Sequence, residues 1–135
     1  MAEITRTRSL AAVGIVVQDV DRAVDFYTTI IGMQEVQRIE VPDKHLVEVI
    51  LAFPGGAGAA VVLMHFSDGE DHSYKDDGGK VVFQVGDCVG VTEAARTAGY
   101  AVTREPADYP GFGTIAMVTD PDVRTVELMG SAAMR

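Results

Sequence analysis

Residues 13–33 of the chain read VGIVVQDVDRAVDFYTTIIGM and join a buried strand to an amphipathic helix. The apolar run LAAVGIVV, residues 10–17, predicts the strand. Asp19 is a residue type that caps helix N-termini, and Gly32 is a residue type that ends helices. Between them apolar residues recur at helical spacing, namely Val20, Ala23, Val24, Tyr27, Ile30 and Ile31. The stretch therefore begins a unit of strand and helix, and the residues after it decide how that unit is completed.

Three further strands are predicted after this helix. They are QEVQRIEV at 34–41, LVEVILAF at 46–53 and AAVVLMHF at 59–66. The last two are separated by the glycine-rich PGGAG, residues 54–58, which suits the turn of an antiparallel hairpin. The first half of the chain therefore reads strand, helix, strand, strand, strand.

The second half of the chain repeats this order. The strand KVVFQV, residues 80–85, precedes a helix that Asp87 caps and Gly99 ends. The strands YAVTRE, TIAMVT and TVELMG complete the second unit. The matching positions are Val17, Asp19, Val20 and Gly32 in the first half and Val85, Asp87, Cys88 and Gly99 in the second. The sequence therefore contains an internal repeat.

The repeat predicts an α+β fold made of two βαβββ modules. The modules are residues 9–66 and 80–130 of a single domain, 1–135, and an acidic loop, 67–79, joins them. One helix covers only one face of each sheet, so the two modules are expected to form a curved, cup-like mixed sheet. The cup is the predicted small-molecule site, and the apolar surfaces that remain predict a homodimer.

Composition excludes several other classes of function. The net charge of −9 repels nucleic acid and anionic membrane, so neither is expected as a partner. A single cysteine, Cys88, excludes an internal disulfide and a zinc site of paired cysteines. The N-terminal apolar run is too short for a membrane span and lacks a cleavage signal, so a cytoplasmic protein is expected.

Residues 13–33 together with VTDPDVRTVELM, residues 118–129, resemble the vicinal oxygen chelate superfamily of glyoxalases, bleomycin-resistance proteins and extradiol dioxygenases. The resemblance covers nearly the whole chain and implies the glyoxalase-like fold. One departure is Val123, because the family pattern usually has a glycine in this turn. The resemblance leaves function open, since the superfamily includes lyases, epimerases, dioxygenases, thiol transferases and proteins that sequester drugs.

Metal-dependent members of this superfamily hold a divalent ion with four side chains. The resemblance places the corresponding positions at Ala12, Leu63, Lys80 and Glu127. Among these only Glu127 is a metal ligand, and a lysine ammonium repels a cation. His65, two residues after Leu63 and expected on the same side of the strand, would add one ligand. Two ligands beside an ammonium bind an ion poorly, so no metal and no other cofactor is expected.

The same residues instead predict an acid–base site. Glu127 is the candidate general base, and Lys80 or His65 would stabilise a developing oxyanion. The alternatives are a relic ion pair of Lys80 with Glu127, and a His65 that is merely hydrogen-bonded near the sheet edge.

The ligand-binding residues expected around these groups come from strand alternation and from one loop. Tyr109 and Phe112 lie in EPADYPGFGT, which forms either a lid over the cup or an ordinary turn. The full predicted set is Gly14, Val16, Leu63, Gln84, Tyr109, Phe112, Thr125 and Met129.

Two classes of function fit these expectations, and a third, weaker alternative is a metal-dependent glyoxalase whose ligands lie at positions other than those assigned above. The first is a metal-independent lyase, isomerase or epimerase that moves a proton next to a carbonyl group. The second is a metal-free binding protein of the bleomycin-resistance type, which would sequester an antibiotic or another natural product in the same cup. The low aromatic content, 7%, is unfavourable for stacking a planar ligand, whereas the acidity of the chain suits a cationic one.

Overall fold

The computed structural model describes residues 9–72 and 79–130. The predicted acidic loop, 67–79, lies partly outside these described residues. The first module contains β1 (Ala12–Val16), α1 (Val20–Asp25), a π-helical turn (Phe26–Ile30), β2 (Gln34–Val41), β3 (Leu46–Ala52) and β4 (Ala60–Phe66). The second contains β5 (Lys80–Val85), α2 (Cys88–Thr97), β6 (Val102–Tyr109), β7 (Gly113–Thr119) and β8 (Thr125–Gly130). Short 3-10 segments occur at Pro42–Lys44 and Pro54–Gly56.

Each module forms one four-stranded mixed sheet. The strand orders are β1-β4-β3-β2 and β5-β8-β7-β6, so the two sheets have the same topology. In each sheet the first strand is parallel to the last, and the other pairs are antiparallel. The predicted α+β fold of two repeated βαβββ units is confirmed.

The first helix differs from the regular helix that the sequence pattern predicts. Asp19 caps it, since its side chain accepts hydrogen bonds from the backbone N–H groups of Asp21 and Arg22. After Asp25 the helix widens into the π turn, where the N–H of Ile31 donates to the carbonyl of Phe26 over 3.2 Å. Gly32 then ends the helix with a φ of 98°.

The helix faces of the two modules meet in one core. The ring centroids of Tyr27 and Phe83 are 6.2 Å apart, and those of Phe26 and Tyr100 are 4.8 Å apart, so aromatic side chains join the modules. Cys88 is also buried here, and burial raises the pKa of its thiol, which fits a packing role. Within the described residues no strand of one sheet is hydrogen-bonded to a strand of the other. The face of each sheet that points away from its helix remains outside this core.

A polar network also joins the two modules at the turn between β7 and β8. We call Tyr27, Asp120 and Arg124 the inter-module network. The Tyr27 hydroxyl donates to Asp120 Oδ2 over 2.6 Å, and Arg124 Nη1 donates to the same oxygen over 2.6 Å. Arg124 Nη2 donates to the carbonyl of Val16, also over 2.6 Å. Burial, followed by the charge of Asp120, raises the pKa of Tyr27, so its hydroxyl remains a proton donor at ordinary pH.

Val123 occupies the left-handed region in this turn, with a φ of 62°. A β-branched side chain is disfavoured there, which explains why a glycine is usual at this position.

We expect Val123→Gly to stabilise the fold by about 0.5–1 kcal/mol, because relief of strain exceeds the added entropy of the unfolded chain. Urea unfolding should show a higher midpoint at an unchanged m-value. Val123→Ala, which retains a β-carbon, should gain less, and an equal gain would contradict the strain argument.

No helix among the described residues is long and apolar enough to span a membrane.

Candidate functional site

The register of β8 places Glu127 on the face of the second sheet that points away from the core. Val126 and Leu128 are fully buried in the core, and Glu127 lies between them on the opposite face. In the parallel pair with β5, Glu127 lies opposite Val82. We call the residues of β5 and β8 on this side the open face of the second sheet; they are Lys80, Val82, Gln84, Thr125, Glu127 and Met129.

Lys80 and Glu127 form an ion pair on this face. Lys80 Nζ donates to Glu127 Oε1 over 2.6 Å. The Glu127 side chain is 11% exposed and that of Lys80 is 49% exposed, so the carboxylate is sheltered while the ammonium reaches solvent. An ion pair with one exposed partner contributes only about 0–1 kcal/mol to stability. Stability therefore gives little reason for a carboxylate at this place in the strand.

Leu63 does not lie on an open face, which corrects its predicted role as a ligand contact. It pairs with Ile15 and Val49 and is fully buried in the core. Its structural counterpart is Leu128, because Ile15 pairs with Leu63 as Phe83 pairs with Leu128. The residue equivalent to Glu127 is therefore Val62, because Gly14 pairs with Val62 as Val82 pairs with Glu127. The predicted position Leu63 is wrong by one residue. A displacement of one residue reverses the side of a strand.

The prediction that His65 shares a face with Glu127 contains the same error of one residue, and the two residues lie on different faces. It lies on the side of β4 that carries Leu63, with its Nδ1 3.3 Å from the carbonyl oxygen of Val17. This contact matches the alternative of a strand histidine hydrogen-bonded near the sheet edge. It lines a separate pocket of about 290 Å³ formed by the ends of β1 and β4 and residues 69–72. His65 is therefore removed from the candidate acid–base group.

Gly14 and Val16 lie on the corresponding open face of the first sheet, together with Ala12. Gly14 has a specific reason to lack a side chain, because a β-carbon there would lie 2.7 Å from the sulfur of Met64. Met64 therefore fills the space over β1, and this part of the first sheet is small and apolar.

Tyr109 and Phe112 lie at the β6–β7 hairpin. Tyr109 ends β6, and its hydroxyl accepts a hydrogen bond from Arg104 Nη1 over 2.9 Å. Phe112 lies at the tip of the hairpin and is 67% exposed. Their role as a lid stays a prediction, as do the ligand contacts of Gln84, Thr125 and Met129, which do lie on the open face with Glu127.

A further cation, Arg104, lies in the row of residues that crosses the second sheet at Glu127, and it is not among the residues predicted from the sequence. Arg104 pairs with Met117, and Met117 pairs with Glu127, so all three belong to one row across β6, β7 and β8. The register of β6 shifts on both sides of Arg104, which obscures the alternation of its side chains. No sequence signal places Arg104 on this face without knowledge of those irregularities.

Comparison with known proteins is consistent with this fold and identifies the family. The profile of the Glyoxalase/Bleomycin resistance protein/Dioxygenase superfamily matches residues 9–128. The chain therefore belongs to the Glyoxalase/Bleomycin resistance protein/Dioxygenase superfamily, which is the superfamily that the sequence resembled.

Individual relatives are lyases by name. The chain is 31% identical over 115 residues to the lactoylglutathione lyase of Haemophilus influenzae, covering 84% of this chain and 85% of that protein. It is 33% identical over 115 residues to a putative lactoylglutathione lyase of Brassica oleracea, covering 84% of this chain but only 41% of the plant protein. The structure of the trypanothione-dependent glyoxalase I of Leishmania major superposes with a TM-score of 0.79 at 25% identity, covering 95% of this chain and 90% of that one.

These relatives correct the prediction that no metal is involved. Lactoylglutathione lyases are metal-dependent enzymes, so the sequence-based expectation of a protein without a cofactor is wrong for the class to which this chain is similar.

The residues of this chain do not, however, reproduce a four-ligand site at the described positions. The places that correspond are Ala12, Val62, Lys80 and Glu127, of which Glu127 alone carries a lone pair that suits a divalent ion. Among residues 9–72 and 79–130 no group of three or more His, Cys, Asp or Glu side chains is placed to hold a metal. The described residues therefore do not fit a four-ligand metal site.

Proposed function

We propose that this protein is a lyase or isomerase that moves a proton at the carbon next to a carbonyl group, with Glu127 as general base. The observation that carries the proposal is the 2.6 Å contact between Lys80 Nζ and Glu127 Oε1 on the open face of the second sheet. A sheltered carboxylate that contributes little to stability is most simply explained by use in binding or chemistry.

The two oxygens of Glu127 have different surroundings, which gives each a role. Oε1 accepts the hydrogen bond from Lys80, whereas Oε2 has no hydrogen-bond partner among the described residues. In the proposed reaction Oε2 takes the proton from carbon, and the electron pair of the C–H bond moves onto the carbonyl oxygen. The ammonium of Lys80 stabilises that oxyanion. The substrate carries a hydroxyl group on the carbon that loses the proton. Glu127 returns its proton to the carbon of the former carbonyl, and the hydroxyl proton passes to the oxyanion, so that the first carbon becomes the new carbonyl in an isomerisation that needs no oxidant or reductant.

The substrate class we propose is a small carbonyl compound whose neighbouring carbon bears an acidic hydrogen. The similarity to lactoylglutathione lyases supports the adduct of a thiol and a 2-oxoaldehyde as the first compound to test. For that adduct, proton transfer between adjacent carbons gives a 2-hydroxy thioester.

A homodimer belongs to the proposal, because an uncovered sheet face does not exclude water from a reacting carbanion. On the open face of the second sheet Val82 is 45% exposed, although it lies directly beside Glu127. A second copy of the chain would cover this face and shelter the site. Sedimentation velocity at micromolar concentration should show a dimer, and a strictly monomeric profile would contradict this part of the proposal.

The binding protein remains the second candidate, and the same ion pair favours it. Lys80 occupies only Oε1 of Glu127, so Oε2 can accept a hydrogen bond from a cationic ligand as readily as it can take a proton. The relatives named as lyases favour catalysis.

The test is an assay of the purified protein on the adduct of 2-oxopropanal with glutathione, followed by the absorbance of the thioester. Because the relatives are metal-dependent, the assay is repeated with Zn²⁺, Ni²⁺, Co²⁺, Mn²⁺ and Mg²⁺ in turn. Thioester formation above the rate of a protein-free control supports the enzyme. Absence of turnover on this adduct and on other thiol and 2-hydroxy carbonyl compounds, together with tight stoichiometric binding of one of them, would replace the enzyme by the binding protein.

A further inference from the structure

We propose that the inter-module network positions Glu127, so that Asp120, Tyr27 and Arg124 are positioning residues for the acid–base site. The inference rests on the proposed function, in which Glu127 is the base. Its physical basis is the turn between β7 and β8, which connects the network directly to the strand that carries Glu127.

Asp120 organises this turn almost alone. Its side chain is fully buried and accepts four hydrogen bonds: two from the side chains of Tyr27 and Arg124 and two, each 2.9 Å, from the backbone N–H groups of Asp122 and Arg124. Its own N–H donates to the carbonyl of Arg124 over 3.0 Å. The bonds of Asp120 with Asp122 and Arg124 fix the number of residues in the turn, because each one joins Asp120 to a defined position in it.

The β7–β8 turn also fixes the register of β8. Thr119 pairs with Thr125 directly across the turn, and Thr125 also pairs with Lys80 on the other side. Glu127 follows two residues later and so falls on the same face as Thr125. A slip of one residue would turn Glu127 into the core and bring apolar residues to the open face.

The anchor for the turn comes from the other module. Arg124 Nη2 is bonded to the carbonyl of Val16, and the N–H of Gln18 donates to Asp122 Oδ1 over 3.0 Å. The turn needs this support, because Val123 holds a left-handed conformation that a β-branched residue does not favour. The start of β8 is therefore held by contacts with the end of β1 and with the π turn, and not by its own hairpin alone.

Positioning matters for chemistry because a misplacement of about 1 Å at a reacting group costs about a hundredfold in rate. The carboxylate of Glu127 is hydrogen-bonded at one oxygen to the ammonium of a half-exposed lysine and at the other oxygen to no described residue. Its backbone is consequently the part that sets where Oε2 lies, and the network holds that backbone.

The experiment compares Tyr27→Phe with Tyr100→Phe. Tyr27→Phe removes one hydroxyl from the network and keeps the buried ring. Tyr100→Phe is the matched control, because its ring packs on Phe26 while its hydroxyl has no hydrogen bond to a described residue. Arg124→Lys, which keeps the charge but replaces the two donor nitrogens of the guanidinium by one ammonium nitrogen, is the companion variant should Tyr27→Phe fold poorly.

The first measurement is native-state amide hydrogen exchange. In Tyr27→Phe and in Arg124→Lys we expect the amides of β8 to exchange at least tenfold faster relative to those of β3 and β4. A purely structural role would accelerate all core amides by one common factor, which is the result expected for any change in Tyr100→Phe. A uniform acceleration in the network variants would overturn the proposal.

The second measurement is the kinetics with the 2-oxopropanal–glutathione adduct. We expect Tyr27→Phe to lower kcat at least tenfold with KM within twofold, and Tyr100→Phe to change neither. An unchanged kcat in an active protein would overturn the positioning role. Should the wild type turn over neither this adduct nor the other thiol and 2-hydroxy carbonyl compounds, the proposed function fails, while the exchange measurement still decides whether the network holds the strand of Glu127.

Discussion

Replacing Glu127 with glutamine is expected to lower turnover by about a hundredfold or more while leaving the fold intact. Glutamine keeps the shape of the side chain and a hydrogen-bond acceptor near Lys80, but it removes the charge and the base. A positioned general base contributes about 10²–10⁴-fold to a rate, which sets the size of the expected loss. Activity and melting temperature are to be measured on the same preparation, because only then is a loss of rate separated from a loss of folded protein.

A matched control for this substitution is Glu93→Gln. Glu93 also pairs with a cation, since its Oε1 lies 3.2 Å from Arg96 Nη2, but this pair is exposed on α2. Its loss should leave both the melting temperature and the rate nearly unaltered. Equal effects of the two substitutions on turnover would remove Glu127 from the chemistry.

Lys80→Met and the double variant separate the remaining alternatives. If Glu127 is the base and Lys80 stabilises the oxyanion, each single variant loses activity, and the double variant does not recover it. Under the binding alternative, Glu127→Gln weakens the affinity for a cationic ligand and touches no rate. Full stability and full activity in the double variant would show that the ion pair contributes to neither stability nor activity. The proposed role of Glu127 would then be withdrawn.

Leu63→Ala is expected to destabilise the protein by about 2–5 kcal/mol, the range observed when a buried leucine is truncated to leave a cavity. Leu63 is fully buried, and its neighbours in the two adjacent strands are also in the core. Denaturant unfolding measures this loss as a lower midpoint at an unchanged m-value.

Val62→Ala is the control for this substitution, because Val62 precedes Leu63 on the same strand and lies on the opposite, partly exposed face. It should cost about 1 kcal/mol or less, since truncation there removes little buried apolar area. A larger loss for Val62→Ala than for Leu63→Ala would show that the side of β4 is reversed. In that case the predicted ligand contact of Leu63 would have to be restored.

The amino-acid sequence alone predicts the order of the elements, the family, and the pairing of Lys80 with Glu127. Helix caps, the glycine at the helix end and the repeated spacing of apolar residues depend on neighbours within a few positions, so a single chain displays them. Glu127 is recognisable because a charge stands out in an apolar strand, and its partner Lys80 follows from the repeat together with the family resemblance.

The sequence does not predict which side of β4 carries Leu63 and His65. The physical reason is the composition of that strand. AVVLMHF is apolar over most of its length, so no alternation shows which residues face the core. The pairing with β1 and β3 decides it, and pairing depends on residues far away in the chain. The inter-module network is a second example, because Tyr27 and Asp120 are separated by 93 positions. Local periodicity specifies which elements form, whereas strand register and contacts between modules arise only when the elements pack together.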